Sequence, residues 1–190
     1  MLSPGRKRLF YLSWLTLFGM SAMGILAIHY LQDKSVMGVF KAGKPYFLQV
    51  TTGLFFGSLT SLLAALFIKG RRFKSVRTFF EGLIGDINPN MAEILFFSVC
   101  AGVGEEILFR AGLQPLIGVW PAAFIFVLLH GYIHPYNINL SLYGFFLVAI
   151  CAGFGYLFKV FGIGAAITAH VVYDIAMFSI LKYSHQRTLS

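Results

Sequence analysis

Long apolar runs, each closed by a short basic or turn-forming segment, set the rhythm of the chain. The first covers residues 9 to about 31 behind Arg6-Lys7-Arg8, and roughly 20 residues of helix cross about 30 Å of hydrocarbon. No small-residue cleavage site follows at His29-Tyr30-Leu31-Gln32, so this run reads as an uncleaved span. A second run covers about 46–68. The basic linker Lys69, Arg71, Arg72, Lys74 and Arg77 then leads into Phe79, Phe80, Leu83 and Ile84 with Glu81 and Asp86 interspersed, the pattern of an amphipathic helix on the membrane surface.

Asn88-Pro89-Asn90 is a helix-start signal. The third span is expected over about 91–113. The fourth starts at Trp120-Pro121 and is expected to end near His134-Pro135, where proline breaks a helix. A fifth covers about 141–160, and Gly162 and Gly164 separate it from a sixth over about 163–181, ahead of a polar tail over 182–190. Backbone groups in lipid must bond internally, so each run is expected to be helical. The fold class is therefore all-α: a polytopic helical bundle of about six transmembrane helices plus one amphipathic surface helix. Residues 1–190 form one integral membrane domain, with the chemistry concentrated in about 91–182.

Composition fixes the solvent. With 58% hydrophobic, 17% aromatic and only 12% charged residues, a water-soluble fold has too little polar surface to cover its apolar groups. The net charge of +8 does not point to nucleic acid, because the basic residues cluster between apolar runs, where they orient a membrane protein. Placing both termini in the cytoplasm puts ten lysines and arginines on that side and four, Lys34, Lys41, Lys44 and Lys159, on the other. Small size and the lack of eukaryotic retention signals favour a prokaryotic inner membrane. Cys100 and Cys151 lie in apolar stretches without metal-knuckle or disulfide spacing.

Within the third run stand Glu105, Glu106 and Arg110, each of which costs about 2.5–3.5 kcal/mol at the centre of a membrane helix. Glu106 and Arg110 are four apart and can neutralise one another, while Glu105, about 100° around the helix, is free to face a cavity. A purely architectural pairing explains that helix alone. Two further runs, however, contribute His130 and the pair His170 and Asp174, again four apart, so that the carboxylate can orient the imidazole or work beside it. With the third helix entering from the cytoplasm, Glu105 lies roughly 21 Å along it, while His130 and His170 lie roughly 15 and 12 Å in from the outer face, at compatible depths. His134 and His29 read as interfacial histidines.

No GxSxG elbow, GxGD pair or HExxH zinc helix is present. A glutamate beside histidines can activate water as a general base, with a second histidine at the oxyanion. The same Glu, His and His can instead hold a zinc ion with an open position. Glu105-Glu106-x-x-x-Arg110, Phe126-x-x-x-His130 and His170-x-x-x-Asp174, in this order on successive helices, resemble the three motifs of the CPBP (CAAX-processing and bacteriocin-processing, Abi) intramembrane proteases, which include the Rce1-type endopeptidases. The resemblance spans about 101–174. It implies an endopeptidase in which Glu105 and His130 activate water, His170 and Asp174 form the oxyanion site, and Glu106 and Arg110 support them, with no cofactor favoured. Many members carry asparagine at the position of Asp174, and an ionised aspartate has no proton to donate.

The expected activity is therefore hydrolysis of a peptide bond in a membrane-anchored or membrane-adjacent substrate, with lipid and that substrate as partners. An ion-coupled transporter also buries Glu, Arg and His, but no inverted repeat or matched pair of broken helices accompanies them here. A non-catalytic scaffold or immunity protein would keep the same residues for stability.

Overall fold

A computed structural model describes residues 4–189; Ser190, the last residue of the expected polar tail, lies outside the described residues. Helix α1, Pro4–Leu31, carries π-helical stretches at Leu15–Met20 and Ala27–Leu31. A short α2, Val36–Lys41, precedes α3, Tyr46–Lys69. The 3-10 turn Arg71–Phe73 leads into α4, Lys74–Ile87, the expected amphipathic helix. Helix α5, Met91–Glu106, runs on through a π-helical segment, Ile107–Leu113, and a last α turn, Gln114–Ile117. Helices α6, Val119–Leu129, α7, Ile138–Phe161, and α8, Ile163–Leu189, complete the chain. No strand occurs among the described residues.

Four helices are long and apolar enough to cross a membrane: α1, α3, α7 and the stretch Ile163–Arg187 of α8. Their packing is that of a protein dissolved in lipid. The inward face of α3 is small and polar, with Gln49, Gly53, Gly57, Thr60, Ser61, Ala64 and Ala65 buried. Its outward face is large and apolar, with Phe47 and Phe55 more than two-thirds exposed. Lipid tails are as apolar as leucine, so helices associate here through close backbone approach rather than by hiding hydrophobic side chains. The hydroxyls of Thr60 and Ser61 donate to carbonyls three or four residues back, which leaves no polar group unsatisfied on that face.

Gly53 and Gly57 form the contact of α3 with α8. A Cβ at Gly53 would lie 2.7 Å from the Ala165 carbonyl oxygen, and one at Gly57 would lie 2.9 Å from Val172 Cβ. At one end of this pair the buried Gln49 side chain donates to the Lys44 carbonyl at 2.8 Å and accepts from the Gly164 N–H at 2.8 Å. That bond ties the start of α8 to α3, beside the α7–α8 turn at Gly162, whose φ of +118° only glycine adopts freely.

Two expected boundaries differ. Helix α6 stops at Leu129, and its 11 residues span about 16 Å, roughly half the hydrocarbon core. It ends where Gly131 takes φ +75° and the Gly131 and Tyr132 N–H groups turn back to the Leu128 and Val127 carbonyls, while His130 Nδ1 lies 2.7 Å from the Phe126 carbonyl oxygen. His134 therefore lies in the exposed loop between α6 and α7, its N–H donating to Ser141 Oγ at 2.9 Å, not one turn beyond His130 on a helix. The expected polar tail is helical to Leu189. Contacts with other elements extend it: Lys182 Nζ donates to the Pro89 carbonyl at 2.7 Å, and Ser184 bonds Glu81 of α4. Because Arg6 of α1 pairs with Glu93 of α5 next to Pro89, the start of α1 and the end of α8 lie at the same end of the bundle.

Substituting Gly57 with leucine forces α3 and α8 apart. The midpoint of thermal unfolding in detergent is expected to fall by the equivalent of about 1–3 kcal/mol, whereas leucine at the exposed Phe55 leaves it unchanged. An unaltered midpoint for Gly57→Leu would show that the contact does not hold the two helices.

Candidate active site

Three helices deliver the ionisable groups singled out by the sequence to one cavity of about 380 Å³. Glu105 comes from the end of α5, His130 from the cap of α6, and His170 and Asp174 from the middle of α8. The π-helical segment begins at Ile107, directly after the two glutamates, and π-bulges of this kind recur at functional sites. Glu106 and Arg110 stand behind the cavity, both wholly excluded from solvent.

Glu105 lies between the two histidines. Its Oε1 is 3.7 Å from His130 Nε2 and its Oε2 3.6 Å from His170 Nε2. Asp174 Oδ2 is 3.7 Å from the same His170 nitrogen. These separations exceed a direct hydrogen bond and match groups that share a small molecule between them. The groups also differ in access. Glu105 and His170 are nearly buried, while the side chain of His130 keeps 32% of its surface open.

Partner chemistry fixes which ring nitrogens carry protons. A carbonyl oxygen only accepts, so His130 Nδ1 donates to Phe126 O, and in the neutral ring Nε2 presents a lone pair towards Glu105. His170 Nδ1 is 2.8 Å from Glu106 Oε1 and donates to that carboxylate, which turns Nε2 towards Glu105 and Asp174. Glu106 Oε2 meets Arg110 Nε at 3.1 Å. Glu106 thus does two jobs, neutralising Arg110 and orienting His170. Glu106 holds Nδ1, and Asp174 faces the opposite nitrogen, a position beside the imidazole that was one of the two expected for it.

Aromatic rings fix the remaining freedom. Phe126 stacks on His130 with centroids 4.3 Å apart, approaches His170 edge-on at 5.9 Å, and lies under the Arg110 guanidinium at 5.5 Å. Phe154 stacks on His170 at 5.5 Å. Phe126 belongs to the motif Phe126-x-x-x-His130, but its ring contacts were not visible in the sequence, and Phe154 sits in an apolar run with nothing to single it out. The Tyr143 and Tyr173 hydroxyls, 3.4 Å apart and lining the same cavity, also escaped notice; Tyr173 precedes Asp174 and shares the face of His170 by its i, i+3 spacing. Phe80, Leu83, Ile84 and Ile87 of α4 close one flank. Among the described residues no group of His, Cys, Asp and Glu side chains converges as a metal site does.

Chemically, the arrangement offers a carboxylate and an imidazole lone pair on one side of a shared space, and a second imidazole with a second carboxyl on the other. Removing one partner of the buried ion pair tests its architecture: Arg110→Met strands the Glu106 charge and is expected to cost about 3–5 kcal/mol of stability by thermal unfolding. The double variant Glu106→Gln/Arg110→Met recovers part of that loss; a double variant as unstable as the sum of the singles would count against the pairing.

Residues 87–176 match the family model described as type II CAAX prenyl endopeptidase Rce1-like. Comparisons with curated proteins and with solved structures gave no match. The matched segment contains Glu105, Glu106, Arg110, His130, His170 and Asp174, in the order and on the helices described above. Over this segment, just under half of its length, the chain, an integral membrane protein, is similar to the Rce1-like, CPBP-type intramembrane endopeptidases.

Proposed function

We propose that the protein is an intramembrane endopeptidase that hydrolyses a peptide bond in a membrane-anchored or membrane-adjacent substrate with water activated by Glu105 and His130. The observation that carries this reading is the position of Glu105, whose two oxygens face His130 and His170 at 3.7 and 3.6 Å inside a mainly apolar cavity. A water held there donates one proton to Glu105 Oε1 and the other to His130 Nε2. As the water oxygen attacks the scissile carbonyl carbon, its proton passes to Glu105. The oxyanion develops on the side of His170 and Asp174. Collapse of the tetrahedral intermediate breaks the C–N bond, and the stored proton goes to the leaving amine.

Glu106 and Arg110 support this cycle from behind by fixing the His170 ring. His170 donates to the oxyanion only as an imidazolium, with Nδ1–H on Glu106 and Nε2–H on the developing charge. Asp174 donates only as the neutral acid. Asparagine in its place supplies an N–H donor at the same reach. The substrate enters from the bilayer, because Leu9, Leu12, Leu83 and Ile87 give the cavity an apolar flank. On this reading both chain ends face the cytoplasm, which the bias of the basic residues and the position of Arg6 and Lys182 at one end of the bundle support.

The test is cleavage of a fluorogenic membrane-peptide library, prenylated and unprenylated, by the reconstituted protein. Glu105→Gln is expected to lower kcat by about 10²–10⁴-fold while the thermal midpoint stays put. Stoichiometric zinc with chelator-sensitive cleavage would replace the glutamate mechanism by a metal-activated one, and a Glu105→Gln variant that still cleaves would sink both. Asp174 yields a separate prediction: Asp174→Ala lowers kcat by about 10²–10³-fold, and Asp174→Asn keeps kcat within about tenfold of the parent. Equal losses for both would show that Asp174 acts as a charge rather than as a donor.

A further inference from the structure

Helix α4 joins two regions of different character. Its inner residues Val76 and Ile84 are buried, and Phe80, Leu83, Ile84 and Ile87 wall the cavity that holds Glu105. Outside, Phe79 is 63% exposed, while Lys69, Arg71 and Arg72 immediately before the helix and Lys74 at its first position all face outward. Arg77 is committed elsewhere, donating to the Ile68 and Lys69 carbonyls at the end of α3 and lying 3.6 Å from Glu81. Among the described side chains, Glu81 bonds Ser184 and Arg77, and Glu93 bonds Arg6, so neither is free to neutralise the outward cluster. Of the outward four, Arg72 donates to Asn139 Oδ1 at 3.0 Å, and this partner is uncharged.

From this geometry we infer that residues 69–74 and the outer face of α4 form a docking surface for anionic phospholipid headgroups, and that lipid bound there holds α4 in place as the flank of the catalytic cavity. Phosphate groups of the leaflet meet Arg71, Arg72 and Lys74, while Phe79 enters the acyl boundary one turn further on. A basic segment next to a membrane helix is attracted to an anionic leaflet within about one Debye length, so the attraction acts on this end of α4 and weakens with salt. Beyond the Arg77 bonds to the end of α3, few side-chain bonds anchor the helix. Glu81 to Ser184 and the close approach of Gly85 to the His185 ring attach it to α8, and its cavity-lining face rests on apolar contacts alone. An element held this way has low local stability unless something outside holds it. The headgroup contact therefore decides how tightly the cavity is closed on this flank.

The surface can be tested without knowing the substrate, so its failure is separate from failure of the proposed activity. Amide hydrogen exchange over 74–87 is measured in nanodiscs of neutral phosphatidylcholine and of phosphatidylcholine mixed with phosphatidylglycerol. Exchange is expected to be about fivefold slower with the anionic lipid. The triple variant Arg71→Gln/Arg72→Gln/Lys74→Gln loses that slowing, whereas Lys34→Gln/Lys159→Gln, outside this cluster, retains it. Equal exchange in both lipids, or a triple variant as protected as the parent, overturns the inference. Slowing by inorganic phosphate in neutral nanodiscs would overturn it too, since the surface would then bind free anions rather than the leaflet.

Discussion

A fully buried guanidinium is the constraint on which the rest of this structure depends. Arg110 has no access to solvent, and an isolated charge in that medium is costly enough that it must be paired. Glu106 supplies the pair from one helical turn away, yet one of its oxygens remains free, and that oxygen receives the Nδ1 proton of His170 from a helix 64 residues distant. Compensation of the arginine thus becomes a device for aiming an imidazole. The chain Arg110, Glu106, His170 is fixed at each link by charge or hydrogen bonding, and His170 then presents its other nitrogen to Glu105 and Asp174.

That chain requires α8 to stand at one height and one rotation relative to α5. Small residues meet this need. Gly102 of α5 leaves room for Val171, while Gly53 and Gly57 of α3 seat against Ala165 and Ala169 on the other side of α8. In lipid, close backbone approach supplies the association energy that burial of leucines supplies in water. The aromatic rings enter where glycine does not: Phe126 and Phe154 bracket His170, so the ring cannot turn without displacing them.

Most of the helices and the meeting of Glu105, His130 and His170 were legible because a charge inside an apolar run is conspicuous and helical spacing says which groups share a face. The second task of Glu106 was not legible. Its i, i+4 partner Arg110 already accounted for it, and nothing local signals a further contact across the bundle. The end of α6 was misplaced for a related reason. The apolar run continues through Ile133, and Pro135 is the stronger stop signal, but Gly131 takes the left-handed turn that ends the helix. Gly53-x-x-x-Gly57 is a recognised close-packing pattern, although a sequence read alone gives it no partner. The helical state of 182–189 depends on bonds to Pro89 and Glu81, far away in the chain.

The short α6 also has a chemical consequence. Irregular backbone at membrane depth survives only where protein or a water-filled cavity surrounds it, and a helix that stops partway creates such a place. At the end of α6 the Phe126 carbonyl keeps its helical bond from the His130 N–H at 3.2 Å and accepts the His130 Nδ1 proton as well. As folded, the carbonyl commits Nδ1 as the donor, and the lone pair of Nε2 is the one that faces Glu105. The bond to Phe126 therefore sets the protonation pattern of the base, and the interrupted helix opens the space in which it works.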